Sequence, residues 1–92
     1  MRVLIGVSTE QGPPVAETIA ALSRVPEVIA VHVVSGQWDL VVVAHVRDQR
    51  HLRDLIIDGL WGIPGFRHSE TMLILDSHTN SGAWMVQSES VI

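Results

Sequence analysis

Apolar runs of strand length alternate along the chain with stretches of helical period. Residues 2–8 (RVLIGVS) are apolar and rich in β-branched side chains, and Thr9-Glu10-Gln11-Gly12 after them reads as a turn. Pro13 and Pro14 suit the first turn of a helix, where backbone N–H groups have no intrahelical partner. Val15, Ile19 and Leu22 then fall at i, i+4 and i+7, with Ala16, Ala20 and Ala21 as small neighbours, and Pro26 stops the helix near Arg24. Residues 28–35 (VIAVHVVS) and 38–46 (WDLVVVAHV) are two strands joined through Ser35-Gly36-Gln37, a connection short enough to predict an antiparallel hairpin. Asp48 is placed to cap a second helix, whose period returns in Leu52, Leu55, Ile56 and Leu60 and ends at Gly62. Ile63-Pro64-Gly65 is a turn, and residues 69–76 (SETMLILD) form the fourth strand. From Ser77 to Ile92 the period is lost: residues 78–82 read as loop and 83–86 as a short strand.

The order β-α-β-β-α-β is the ferredoxin-like pattern, an α+β fold with a four-stranded antiparallel sheet and two helices on one face. In a monomer of that fold the strands should alternate, apolar toward the helices and polar toward water. Leu40-Val41-Val42-Val43-Ala44 and Met72-Leu73-Ile74-Leu75 do not alternate. With helices on one face, the other must also be covered. A second copy packed sheet against sheet does this with a single two-fold axis, giving the dimeric α+β-barrel type of assembly. Residues 1–76 are expected to form the folded domain, and 77–92 a C-terminal tail.

Composition narrows the function. The 92 residues are 47% hydrophobic and only 17% charged, which again points to surface that is not meant for water. Six basic residues against ten acidic ones give a net charge of −4, the wrong balance for a phosphate-binding sheath. The absence of cysteine removes disulfides, thiolate metal sites and thiol catalysis together. No apolar run approaches the ~20 residues of a membrane span, and the first residues lack a signal-peptide pattern. The expected setting is cytoplasmic, with neither membrane nor nucleic acid as a direct partner.

Candidate chemistry is sparse. His32, His45, His51, His68 and His78 include no pair at the helical spacing of a zinc site, although His32 and His45 lie on one hairpin and could be neighbours. No nucleophile elbow, P-loop or dinucleotide fingerprint is present, Asp39 and Asp48 have no carboxylate partner, and no base lies near Ser8 or Ser35 in sequence. No enzyme activity, metal or cofactor is therefore expected. The most unusual segment is Ser35-Gly36-Gln37-Trp38-Asp39. Gly36 can supply a positive φ at the turn, and Asp39 opens an otherwise apolar strand. Asp39 can cap the turn, or it can meet an ammonium while nearby backbone amides hold a carboxylate, which together would suit a small zwitterion.

Four segments carry a family resemblance: Val25-Pro26-Glu27-Val28, Val33-Val34-Ser35-Gly36-Gln37-Trp38-Asp39-Leu40, Ile63-Pro64-Gly65-Phe66 and Ser69-Glu70-Thr71-Met72-Leu73-Ile74-Leu75. Across roughly residues 3–76 the chain resembles the C-terminal effector domain, known as RAM, of the Lrp/AsnC transcription regulators. The resemblance implies sheet-to-sheet dimers assembled into rings, commonly octamers, with an amino acid held between neighbouring dimers. It places effector-response positions at Val33, Gly36, Asp39, Gln49, Met72, Leu73 and Ile74, with Ser35, Gln37, Trp38, Ser69 and Thr71 flanking them. Gln49 stands where leucine-responsive members commonly have an apolar residue, which argues against a leucine-type preference. Family regulators carry a helix-turn-helix domain before this one, whereas here Met1 is followed at once by the first strand. The implied protein is a stand-alone effector domain that modulates a partner, a full-length Lrp/AsnC regulator in mixed assembly. Two other readings share the fold: a purely structural oligomerisation module, and a cofactor-poor monooxygenase of the dimeric barrel type, which would need His32, His45 or Trp38 to line a cavity inside the protomer.

Overall fold

The computed structural model describes residues 1–10 and 14–80. The elements follow the predicted order: β1 (Arg2–Thr9), α1 (Val15–Ser23), β2 (Val28–Val33), β3 (Leu40–His45), α2 (Gln49–Asp54) and β4 (Phe66–Leu73). The four strands make one antiparallel sheet in the order β2-β3-β1-β4, the α+β ferredoxin-like topology. The turn residues Gln11 and Gly12, Pro13, and the strand expected at 83–86 lie outside the described residues.

Period-2 alternation sets the core. Val3, Ile5 and Val7 of β1 and Leu40, Val42 and Ala44 of β3 point to one face, where Leu22 of α1 and Leu52, Leu55 and Leu60 after β3 cover them completely or nearly so. The α1 stripe differs from the expected one. Val15 stays 45% exposed, and Thr18 is enclosed instead, its hydroxyl donating to the Pro64 carbonyl at 2.7 Å. That bond satisfies a buried polar group and ties α1 to the turn before β4. Asp48 caps α2 as expected, accepting from the His51 N–H at 2.8 Å.

The second helix is not uniform. It leaves α geometry at Leu55 and continues as a π-helical segment, Leu55–Leu60, in which the Trp61 N–H donates to the Ile56 carbonyl at 3.1 Å. In an α-helix two residues five apart diverge by about 140° around the axis. The wider π turn lets Leu55 and Leu60 both face the core, and both are buried.

The strand boundaries depart from expectation chiefly at β4 and at the β2–β3 hairpin. β4 spans Phe66–Leu73 rather than 69–76, because the Pro64-Gly65 turn, with Gly65 at φ +83°, delivers the chain into the ladder at once and Phe66 already pairs with Thr9. Ile74, expected on that strand, lies beyond it. β2 and β3 are shorter at the hairpin: residues 34–39 form the connection, closed by a hydrogen bond from the Val34 N–H to the Asp39 carbonyl at 3.1 Å. The antiparallel pairing itself is as expected.

The face away from the helices carries Leu4, Val41 and Val43, each half-buried, with Met72 37% exposed beside them. This is the apolar open face anticipated from the failed alternation. No helix among the described residues is long and apolar enough to cross a membrane.

Candidate functional site

The β2–β3 hairpin is held by Asp39 and Trp38. The Asp39 N–H donates to the Val7 carbonyl at 3.0 Å, and its carboxylate Oδ2 accepts from the Thr9 N–H at 2.9 Å and the Thr9 hydroxyl at 3.2 Å. Asp39 thus ties the hairpin to the end of β1, a partner not anticipated from the sequence. Its Oδ1 accepts no hydrogen bond among the described residues, and Asp39 as a whole is exposed. Gly36 sits at the tip with φ +117° and open space where a Cβ would be, so a ligand or neighbouring chain can approach its backbone.

Trp38 packs against the sheet. Its indole lies flat over Gly6 on the open face, where a Cβ added to Gly6 would stand 2.7 Å from Cδ2 and Cε2. Its ring also meets His68 of β4 edge-on, with centroids 6.2 Å apart. A single side chain from the hairpin therefore crosses the central strand β1 and reaches the edge strand β4. No sequence signal marks that contact, because a strand glycine and a tryptophan thirty-two residues later have no periodic relation.

The remaining expected site residues sit elsewhere. Gln49, Ser69, Thr71 and Leu73 line clefts on the helix side of β4, with Ile56 and Trp61 as the opposite wall. Met72 points to the open face, and Val33, 70% exposed, ends β2 beside the hairpin. Within one chain the structure gathers two groups, the hairpin and the β4 cleft, and does not merge them into one pocket. Sequence reading missed Trp61, Arg53 and Arg67 in the cleft. The detectable signal was Trp61 itself, a large aromatic one residue past the last buried leucine and 62% exposed.

The histidines do not cluster. His32 and His45 lie at opposite ends of the β2–β3 ladder, paired with Val41 and Arg2, so the expected proximity fails. Neither they nor Trp38 line the two clefts beside β4. Ser8 stands across from His68 in the β1–β4 register. His51 bridges two elements: its Nδ1 accepts from the Arg47 N–H at 3.0 Å, so its Nε2 donates to the Glu27 carboxylate at 2.8 Å. This pair joins the turn before β2 to the start of α2.

The hydrogen bond from His51, supported by Glu27's own backbone N–H and by the charge of Arg47, holds the Glu27 carboxyl below its ordinary value of 4.5. A depressed carboxylate stabilises the fold above its unfolded-state value, and that stability is lost as pH falls through the folded-state value. Glu27→Gln is therefore expected to flatten the acid limb of the stability curve below about pH 4.5 by no more than about 1 kcal/mol, with no change at pH 8 beyond the lost pair. Urea midpoints between pH 3 and pH 8 test this, and an identical acid limb in both proteins refutes it.

Comparison with known proteins agrees with the fold. The family model for the Lrp/AsnC ligand binding domain matches residues 2–84. An uncharacterized HTH-type transcriptional regulator from Pyrococcus horikoshii is 30% identical over 71 residues, covering 77% of this chain and 47% of its own. The chain spans about half the length of the curated relatives it matches. Among solved structures, a transcriptional regulator of Neisseria meningitidis in complex with L-Met superposes with a TM-score of 0.82 at 17% identity, over 96% of this chain and 58% of that one. A hypothetical protein of Pyrococcus horikoshii superposes with a TM-score of 0.72 at 26% identity, over 84% of this chain and 92% of its own. With the family model spanning all the secondary structure described, the chain belongs to the Lrp/AsnC ligand-binding domain family.

Proposed function

We propose that this chain is a non-catalytic sensor: it binds a small amino-acid effector at the β2–β3 hairpin, assembles as sheet-to-sheet dimers in a ring, and modulates a transcription regulator of its own family. The hairpin carries the reading. Gly36 leaves its backbone open at φ +117°, and three residues on, Asp39 is fixed by Thr9 with Oδ1 free to accept from an ammonium. Half a site of this kind, amides and one carboxylate on an exposed tip, needs a second surface to enclose its ligand. A neighbouring dimer supplies one, and the L-Met complex of the Neisseria relative supports an amino acid as the occupant. Val33, Ser35, Gln37 and Trp38 frame the tip. The apolar open face supports the dimer, and a cytoplasmic setting suits a partner that regulates transcription.

A thermal-shift screen against the twenty amino acids tests the reading. A ligand at about 100 times its Kd adds ~2.7 kcal/mol, a shift of several degrees in a domain this small. One selective shift is expected, and Gly36→Trp should abolish it while the dimer persists by light scattering. A normal response from Gly36→Trp moves the site away from the hairpin, and no shift at millimolar concentration leaves a structural oligomerisation module.

A further inference from the structure

The strand register lays the open face out in rows that cross all four strands. One row reads His32, Val41, Gly6 and Glu70 from the β2 edge to the β4 edge, with the Trp38 indole resting on the glycine. The row beside it reads Ala30, Val43, Leu4 and Met72 and is wholly apolar. His32 and Glu70 thus stand at opposite edges of one row, about 14 Å apart at three strand spacings, with Val41 and the indole between them. Both are exposed, and neither makes a side-chain hydrogen bond or ion pair among the described residues.

In a sheet-to-sheet dimer the two-fold axis lies in the plane between the sheets. Sheets packed this way keep their strands within about 30° of each other, which leaves two directions for the axis. An axis across the strands lays β2 on the partner's β2 and β4 on the partner's β4. Burying the apolar row that way sets each Glu70 against the partner's Met72 or the partner's Glu70, so a carboxylate is desolvated with no donor opposite. An axis along the strands, through the middle of the sheet, lays β2 on the partner's β4 and β3 on the partner's β1. Every row then faces itself reversed. Val43 meets the partner's Leu4, small Ala30 meets the partner's Met72, and His32 meets the partner's Glu70.

We propose that His32 and Glu70 form the pair that registers the dimer, each imidazole donating to the carboxylate of the partner's Glu70 at both edges of the interface. The pairing rests on the sheet-to-sheet dimer proposed above and adds the residues that select one packing over the other. Facing sheets lie about 10 Å apart, a gap that a histidine and a glutamate reaching from opposed strands bridge. The pair also defines the partner. A regulator chain that exchanges into this dimer must present a carboxylate at the edge of β4 and a donor at the edge of β2.

The same axis lays Arg2 over the partner's His45, which accepts from a guanidinium while its ring is neutral, so the test belongs at pH 8, above the ordinary range of imidazole titration. Light scattering over a dilution series gives the concentration at which each protein falls to the 10.1 kDa chain. His32→Glu sets carboxylate against carboxylate and should raise that concentration about tenfold or more. Adding Glu70→Lys restores opposite charges across the interface and should return the dimer to within about threefold of the parent chain. Adding Glu17→Lys instead, on the exposed side of α1, should not. All three positions are exposed in the single chain, and circular dichroism should report an unchanged fold. A dimeric parent indifferent to His32→Glu, no rescue by Glu70→Lys, or equal rescue by Glu17→Lys would each overturn the pairing. A parent chain that is monomeric at micromolar concentration would instead remove the sheet-to-sheet dimer itself, and the pairing with it.

Discussion

Val43→Arg is expected to convert the protein to a 10.1 kDa monomer. Val43 lies on the open face of β3, between Leu4 of β1 and Ala30 of β2 in the register, with Val41 two residues along the same face. These side chains are half-buried in the single chain, so water still reaches an apolar strip down the middle of the sheet. Strips of this kind on a small domain mark an interface. If two sheets close over it, a guanidinium at position 43 would be buried among Leu4, Ala30 and Val41, its apolar neighbours on this face. An unpaired buried charge costs several kcal/mol even after relaxation, and a weakening of the dimer by 100-fold or more corresponds to about 2.7 kcal/mol. Val42 and Ala44, which pack against the helices, are untouched by the change, so circular dichroism should still report the fold, with Val43→Ala as the milder control. Light scattering at micromolar concentration decides. An assembly of unchanged mass in Val43→Arg would mean that the open face is not where the copies meet.

Gly6→Ala carries the next largest effect, because one methyl group collides with a ring. A Cβ at position 6 would sit 2.7–2.8 Å from three atoms of the Trp38 indole, well inside van der Waals contact. The ring must move off β1, losing both its seat and its edge contact with His68. Overpacking of this severity costs about 1–3 kcal/mol. The sign is diagnostic. In a strand, alanine is ordinarily favoured over glycine by roughly 0.5–1 kcal/mol. On a Trp38→Ala background, where nothing occupies that space, Gly6→Ala should therefore be neutral or stabilising. A double-mutant cycle read by urea unfolding gives the coupling directly. Additive effects would show that the ring does not rest on the glycine in solution.

The element order was legible because each strand and helix carries its own period, and because Asp48, Pro26 and the Pro64-Gly65 turn mark boundaries by backbone chemistry that needs no tertiary context. The open apolar face was legible for the same reason, since residues 40–44 cannot satisfy a half-exposed strand. The errors have a common cause. Phe66-Arg67-His68 is a poor strand by composition and Ile74-Leu75 a good one, but the turn and the length of β1 fix where pairing begins, and Leu75 ends 91% exposed. Thr18 was overlooked because its burial depends on a carbonyl forty-six residues away. Trp38, Asp39 and Gly36 stood out as unusual residues, yet their roles rest on Gly6 and Thr9, which only folding brings near. The clefts beside β4 were half legible: Ser69, Thr71 and Gln49 were named through family likeness, while Trp61 and Arg67 join them only once the second helix is packed over the sheet.

The π-helical segment carries one residue more than an α-helix would need to span the same stretch of core. Removing one residue between Leu55 and Leu60 would let the ladder return to α geometry with the two leucines four positions apart, about 40° around the axis and both still toward the core. Trp61 would keep its side of the helix. A single-codon deletion here is thus the change of chain length that a sister of this domain could absorb with the least rearrangement.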